Sequence, residues 1–365
     1  MRRQENVKPN PAGSPIRAQT GNIVEDSGVK QLQQLRQLAD PILSRASIPS
    51  EAETLQVLKA IEAAAHRLLE LVPISAKPRG VDSSPASALL FLDARRTLPN
   101  TSQQLDKTVI AISDLAHKLV THPPVFITRS ILETYITIQS ILLNPSTFPD
   151  VFRLYAEKPI PSASRTSSSS TERIDYTPSN PNAISAAIPP HLANAALTTA
   201  IHTRSLPIAL SIISTTFRAP AYRRAKIFQR ALPPLSGAGL APLAAYALAS
   251  QLAAHQTFLD PTQFTQIAFA GMFTYIAAVG TIGVVALTTS NDQMDRVTWA
   301  LGMPLRERWL REEERAAVDR VAEAWGFKES WRRGEEEGVE WEELKDWIGF
   351  RGMVLDKVGL MPGME

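Results

Sequence analysis

The sequence predicts an all-α protein in three parts: a helical, repeat-like soluble domain, a two-helix transmembrane hairpin and a Trp-rich helical tail. Three observations carry this. Two apolar stretches, 231–254 and 266–289, hold no Asp, Glu, Lys or Arg. Much of the remaining chain repeats apolar residues at spacings of three and four, the period of a helix with one buried face. All six tryptophans lie at or beyond position 299.

Composition narrows the chemistry. The chain has 365 residues, a length that allows two or three domains, and 44% of them are hydrophobic. That is too apolar for a fully disordered chain. Cysteine is absent, which removes disulfides, thiolate metal sites and cysteine nucleophiles together. The net charge of +2 is the sum of unlike zones. Residues 1–230 carry 26 bases against 17 acids, residues 231–295 no base and three acids, residues 296–365 12 bases against 16 acids.

The N-terminal 26 residues open with Arg2, Arg3, Lys8 and Arg17 but contain Pro9, Pro11 and Pro15. The charge bias suits a mitochondrial transit peptide, while the prolines spoil its amphipathic helix, so a disordered tail is the competing reading. From 27 to 225 the pattern is helical. Leu32, Leu35 and Leu38 form one apolar row, which Pro41 should interrupt. Ser50-Glu51-Ala52-Glu53 opens a long helix with Leu55, Leu58, Ile61, Ala65, Leu68 and Leu69 on one face. A Pro/Gly/Ser stretch at 77–86 reads as a linker. A further helix from 102 to 120 shows Leu105, Val109, Ile112, Leu115 and Leu119.

Segments 126–160 and 189–222 each read as helix, short turn, helix. They resemble, loosely, the tetratricopeptide and pentatricopeptide class of helical repeats; an ordinary bundle of helical hairpins is the alternative. Between them SASRTSSSSTERIDYTPSNPNA is Ser/Pro-rich and predicts a disordered loop within 160–188.

Each 24-residue apolar stretch spans ~36 Å as a helix, against a hydrocarbon core of ~30 Å. Asp260-Pro261 marks the turn between them. Pro233, Pro234 and Pro242 weaken the first, and a buried hairpin in a soluble domain is the competing reading. Bases flank the outer ends, Arg223, Arg224, Lys226 and Arg230 before and Arg296, Arg306 and Arg308 after, and the connecting loop has none. The positive-inside rule then places both termini on one side, the matrix in a mitochondrion, with the first four bases as topology and lipid contacts. Small residues recur at Gly237, Ala241, Ala245, Ala249 and Ala253, and at Ala270, Thr274 and Ala278, which predicts close packing of the hairpin on itself.

The tail (296–365) predicts a helix after Pro304 that ends at Gly326 as a C-terminal cap, and a second carrying Trp341, Leu344 and Ile348. Glu307 and Arg311 are spaced for an ion pair. Trp299, Trp309, Trp325, Trp331, Trp341 and Trp347 are candidate partner contacts; a small core and a membrane-interface belt are the other reading.

The run TTSNDQMDRVTWALGMPLRERWLREEERAAVDRVAEAWGF, with EEGVEWEELKDWIG and the preceding second span, resembles a family of filamentous-fungal mitochondrial membrane proteins without an assigned activity. The resemblance covers about 126–360. It implies the mitochondrial inner membrane, with the repeat-like domain in the matrix, and carries no catalytic residue onto this chain.

No phosphate loop, dinucleotide motif or nucleophile elbow occurs. The six histidines are scattered without metal-ligand spacing. No catalytic residue, cofactor, metal or small-molecule substrate is therefore expected. The expected role is a non-enzymatic inner-membrane scaffold or assembly factor with a bilayer and matrix proteins as partners. The alternative is a membrane-tethered RNA-binding factor, which the basic balance of residues 1–230 suggests.

Overall fold

The computed structural model describes residues 16–45, 47–71, 101–164, 173–289, 296–327, 334 and 336–355. The protein is mostly helical, with two small antiparallel sheets that the sequence did not announce. Contacts divide it into two units, Met1–Asn144 with Ile160–Thr177, and Pro145–Pro159 with Pro178–Glu365.

The first unit is built on α1 (Ile16–Ser44), α2 (Glu51–Leu71), α3 (Thr101–Thr121) and α4 (Arg129–Leu142). Ser50 caps α2 reciprocally: Glu53 N donates to Ser50 Oγ at 3.2 Å, and Ser50 N to Glu53 Oε2 at 3.4 Å. Thr128 caps α4 and donates to Glu51 Oε1 at 2.7 Å, which joins the starts of α2 and α4. Leu58, Ile61, Ile112, Leu119, Ile131 and Leu132 are fully buried, so the predicted faces of α2 and α3 do form the core. Two expectations change. α1 starts at Ile16, inside the segment read as a tail, and runs through Pro41 to Ser44. The 77–86 linker lies outside the described residues.

Within 160–188 a hairpin forms where a disordered loop was expected. β1 (Ile160–Ser164) pairs antiparallel with β2 (Arg173–Thr177), Ile160 opposite Thr177 and Ser164 opposite Arg173. The ladder satisfies backbone groups that composition alone leaves open, and the serine content hid it.

The two look-alike segments part company. α6 (Pro190–His202) and α7 (Leu206–Thr215) pack as an antiparallel pair, as expected. In the first segment α4 packs on α2 and α3, whereas α5 (Phe148–Glu157) packs on α7. The unit boundary falls between α4 and α5. That segment is thus no self-contained repeat.

In the second unit one continuous helix runs from Pro220 to His255. It comprises α8 (Pro220–Lys226), a π-helical turn (Ile227–Ala231) and α9 (Leu232–His255). The widened turn marks a change of environment: Ala221, Tyr222, Ala225 and Lys226 are buried before it, and Leu232–Leu240 are exposed after it. α10 (Pro261–Thr289) returns alongside α9. It starts five residues earlier than expected, because Asp260 accepts from Thr262 N at 3.2 Å and Pro261 fits the first helical turn. Both helices are long and apolar enough to cross a membrane, and no residue in the apolar stretch of α10 is fully buried.

The tail carries β3 (Val297–Trp299), α11 (Leu305–Trp325), α12 (Val339–Gly349) and β4 (Met353–Leu355), with Trp299 opposite Met353. Leu310, Val318, Val321, Trp341, Leu344 and Ile348 are its buried centre. Gly326 follows α11 as expected, but for another reason. Its backbone is extended, and a Cβ there would collide with the Trp341 ring. The left-handed residue is Phe327, φ +60°.

Candidate interaction site at the base of the helical hairpin

The small-residue stripe packs over only part of its length. Ala245, Ala249 and Ala253 are buried, Ala249 completely. Their counterparts on α10 are the half-buried Phe264, Thr265, Ala268, Phe269 and Met272, and Tyr246 meets Phe269 edge-on at 6.1 Å. Gly237 has open space around it, Ala241 is half-buried, and Ala270, Thr274 and Ala278 are exposed. The α10 stripe is therefore corrected to 264–272. The helices meet near their turn, where a bulky aromatic row on α10 fits against alanine on α9.

At the other end of α9 the tail closes on its base. Lys226 is 5% exposed, and its ammonium donates to Glu313 and to the Trp309 carbonyl, 4.8 Å from the Trp309 ring centre. Arg230 Nη1 bonds the other oxygen of Glu313 at 2.7 Å. Burial pushes the Lys226 ammonium down, and the Glu313 bond opposes that. Burial, with Glu313 behind it, pushes the neighbouring Tyr222 hydroxyl up to about 12. Arg224 bonds the Asn182 carbonyl at 3.1 Å, and Arg223 Nε is buried without a hydrogen bond. Of the four bases expected at lipid, Lys226 is thus turned inward and Arg230 is shared with a carboxylate.

The tryptophans share a pattern that sequence reading missed. Each of four stands against a cation: Trp299 with Arg311 at 5.3 Å, Trp309 with Lys226, Trp325 with Arg204 at 5.6 Å and Trp347 with Arg351 at 3.5 Å. Trp341 instead meets Phe327 edge-on at 6.0 Å. Trp299 and Trp341 are buried and Trp309, Trp325 and Trp347 half-buried, so these five fill and fasten the tail. Trp331 lies outside the described residues. Trp299 donates to Glu312 at 3.2 Å from within β3 and is no belt residue.

Buried charges lock the same module. Glu314, its side chain fully enclosed, takes Arg311 at 2.9 Å and Arg351 at 3.4 Å. Arg315 bonds Glu312 at 2.7 Å and the Val297 carbonyl at 2.9 Å. In place of the expected Glu307–Arg311 pair, Arg311 reaches Glu314, three residues ahead, rather than Glu307, four residues back. Arg296 bonds Asp319 and Glu323. Two contacts tie α11 back to α6: Arg320 bonds Asn194 at 3.0 Å and Thr198 at 2.7 Å.

A further polar cluster lies in the first unit, between α3 and α4. Ser113 donates to Gln139 Oε1 at 2.8 Å and accepts from Asn144 at the same distance, and Gln139 Nε2 donates to Tyr135 Oη at 3.3 Å. His117 Nδ1 reaches Tyr135 Oη, at 3.4 Å. The serine proton is held by an amide carbonyl rather than by a base, so this is a buried structural network. Among the described residues no group of three or more His, Asp or Glu side chains could hold a metal ion.

Comparison with protein-family models, with curated proteins and with solved structures finds no match to this chain.

Proposed function

We propose that the protein is a non-enzymatic scaffold or assembly factor of the mitochondrial inner membrane, anchored by α9 and α10 with both termini in the matrix. The observation that carries the reading is the exposure of the hairpin. Leu235, Leu240, Leu243, Tyr246, Ile267, Tyr275, Ile282 and Val284 are each at least 58% exposed. A soluble protein does not leave so large an apolar surface in water. The buried-hairpin alternative needs these residues inside a core.

The clamp of Lys226 and Arg230 on Glu313 supports a holding role: it fixes a folded module to the foot of the first apolar helix. The basic flanks support the matrix orientation, and the family resemblance supports the organelle. The RNA-binding alternative draws on the basic balance of residues 1–230, but Arg224, Lys226 and Arg230 of that zone are engaged with protein groups.

Alkaline carbonate extraction with protease protection on isolated mitochondria, using tags at both ends, tests the reading. A pelleted protein with both tags protected until the inner membrane is opened is the expected result. Release into the soluble fraction would remove the anchor and the scaffold with it. Unchanged respiratory complexes and mitochondrial translation products after deletion would remove the assembly role alone.

A further inference from the structure

The tail has an end unlike the rest of it. Two tight turns abut at the open end of the β3–β4 ladder, where Ala300 N donates to the Gly352 carbonyl at 3.0 Å. Gly302 (φ +89°) shapes the first turn and Gly352 (φ +70°) the second. The Met303 methyl lies where a Cβ on Gly352 would stand, so the turns are in contact. Their tips are Leu301, 101% exposed, and Phe350, 92% exposed. Among the described residues nothing packs over these two side chains.

Charge sets this end apart as well. Residues 296–365 hold more acids than bases, yet 300–306 and 347–355 contain no acid at all, and each contains one arginine. Arg351 stacks on the half-buried Trp347. Burial, and after it the nearby charge of the exposed Arg218, push the Arg351 guanidinium down. Arg351 itself is held inward by Glu314, so the exposed Arg306 and Arg218 are the cations on offer. Exposed apolar tips beside such cations match a headgroup layer, where apolar groups enter the acyl boundary and cations meet phosphate.

Position agrees. Glu313 pins α11 to the base of α9. α10 touches α11, and β3 begins eight residues after α10 ends.

We infer that the Leu301 and Phe350 tips form a second, peripheral membrane contact that inserts into an anionic lipid surface beside the hairpin. The inference rests on the membrane reading of α9 and α10. An aliphatic and a phenyl tip suit lipid better than RNA, which needs a track of cations and stacking rings.

The native chain has no cysteine, so full-length single-cysteine variants report one site each. Leu301→Cys, Phe350→Cys, Val339→Cys and Leu243→Cys would carry an environment-sensitive fluorophore. The proteins are reconstituted in phosphatidylcholine vesicles with or without phosphatidylglycerol, and quenched by brominated lipid. The expected result is quenching at 301 and 350 that strengthens with phosphatidylglycerol, quenching at 243, and none at 339, which is exposed at the opposite end of α12 from Phe350. Arg218→Glu should reduce the inserted population about fivefold. Quenching at 243 with 301 and 350 behaving like 339 overturns the inference and leaves the hairpin reading intact. No quenching at 243 overturns the hairpin reading and the inference with it. Shielding of 301 and 350 that requires added RNA instead of lipid also overturns it.

Discussion

Arg230 and Glu313 meet at 2.7 Å across 83 positions of sequence, and the same carboxylate holds the buried Lys226. One glutamate thus neutralises two bases at the foot of the first apolar helix. Glu313→Ala removes the partner of an enclosed ammonium, a change that costs about 3 kcal/mol. Thermal unfolding of the full chain in detergent should show that loss, with earlier proteolysis in 296–325. Lys226→Met should cost much less, since Glu313 keeps Arg230 and a methionine suits the site.

Arg351→Ala should be among the most damaging changes in the tail. It strips the Trp347 stack and leaves the enclosed Glu314 with Arg311 alone. Arg351→Lys keeps the charge but loses the flat stack, about 1 kcal/mol. Denaturant midpoints of the two variants should rank in that order; equal midpoints would mean that the Glu314 pair contributes nothing.

Lys158 predicts a pH effect. It is 8% exposed, and burial lowers its pKa from 10.5 to about 8. The unfolded chain then holds a proton that the folded one has lost between those values, so stability rises with pH through that window. Below about pH 8 the burial cost is present in full. Lys158→Met should raise the unfolding temperature at pH 7 and flatten the rise from pH 8 to 10.5.

Ala249→Leu places three extra carbons between α9 and α10, where no surface is exposed, and should cost about 1–3 kcal/mol. Ala278→Leu, on the exposed side of α10, should leave the melting temperature in detergent unchanged. A comparable loss at Ala278→Leu would extend the helix contact along the whole predicted stripe.

Gln139→Leu leaves Ser113 without its acceptor and Asn144 bonded to a serine that has lost its orientation. The cost should be about 1–3 kcal/mol, measured by denaturant unfolding.

What the sequence disclosed follows the strength of each local signal. The rows Leu58/Ile61/Ala65/Leu68 and Val318/Val321 are periodic enough to place α2 and α11 with their buried faces, and the charge-free stretches marked α9 and α10 to within a few residues. The β1–β2 hairpin escaped because Ser/Pro composition masked its five-residue strands. β3 and β4, at three residues each, are too short for alternation to register. The α10 stripe misled because Ala and Thr recur there on every side, and what decides the contact is the aromatic row opposite Ala245 and Ala249. The clamp was invisible for a different reason. Lys226 and Glu313 are 87 residues apart, and a basic flank before an apolar run reads the same whether it meets phosphate or a carboxylate. Two of the four tryptophan–cation pairs also join distant positions, Arg204 with Trp325 and Lys226 with Trp309.

The unbroken helix from Pro220 to His255 has a mechanical consequence. With no loop between the buried α8 and the apolar α9, and with Glu313 bracing the junction, the tail has no swivel of its own. In a bilayer, any tilt or spin of the anchor is transmitted to the tail as through a keyed shaft. A dye fixed on α11 would then lose its polarisation at the slow pace of an embedded anchor rather than that of a tethered globule.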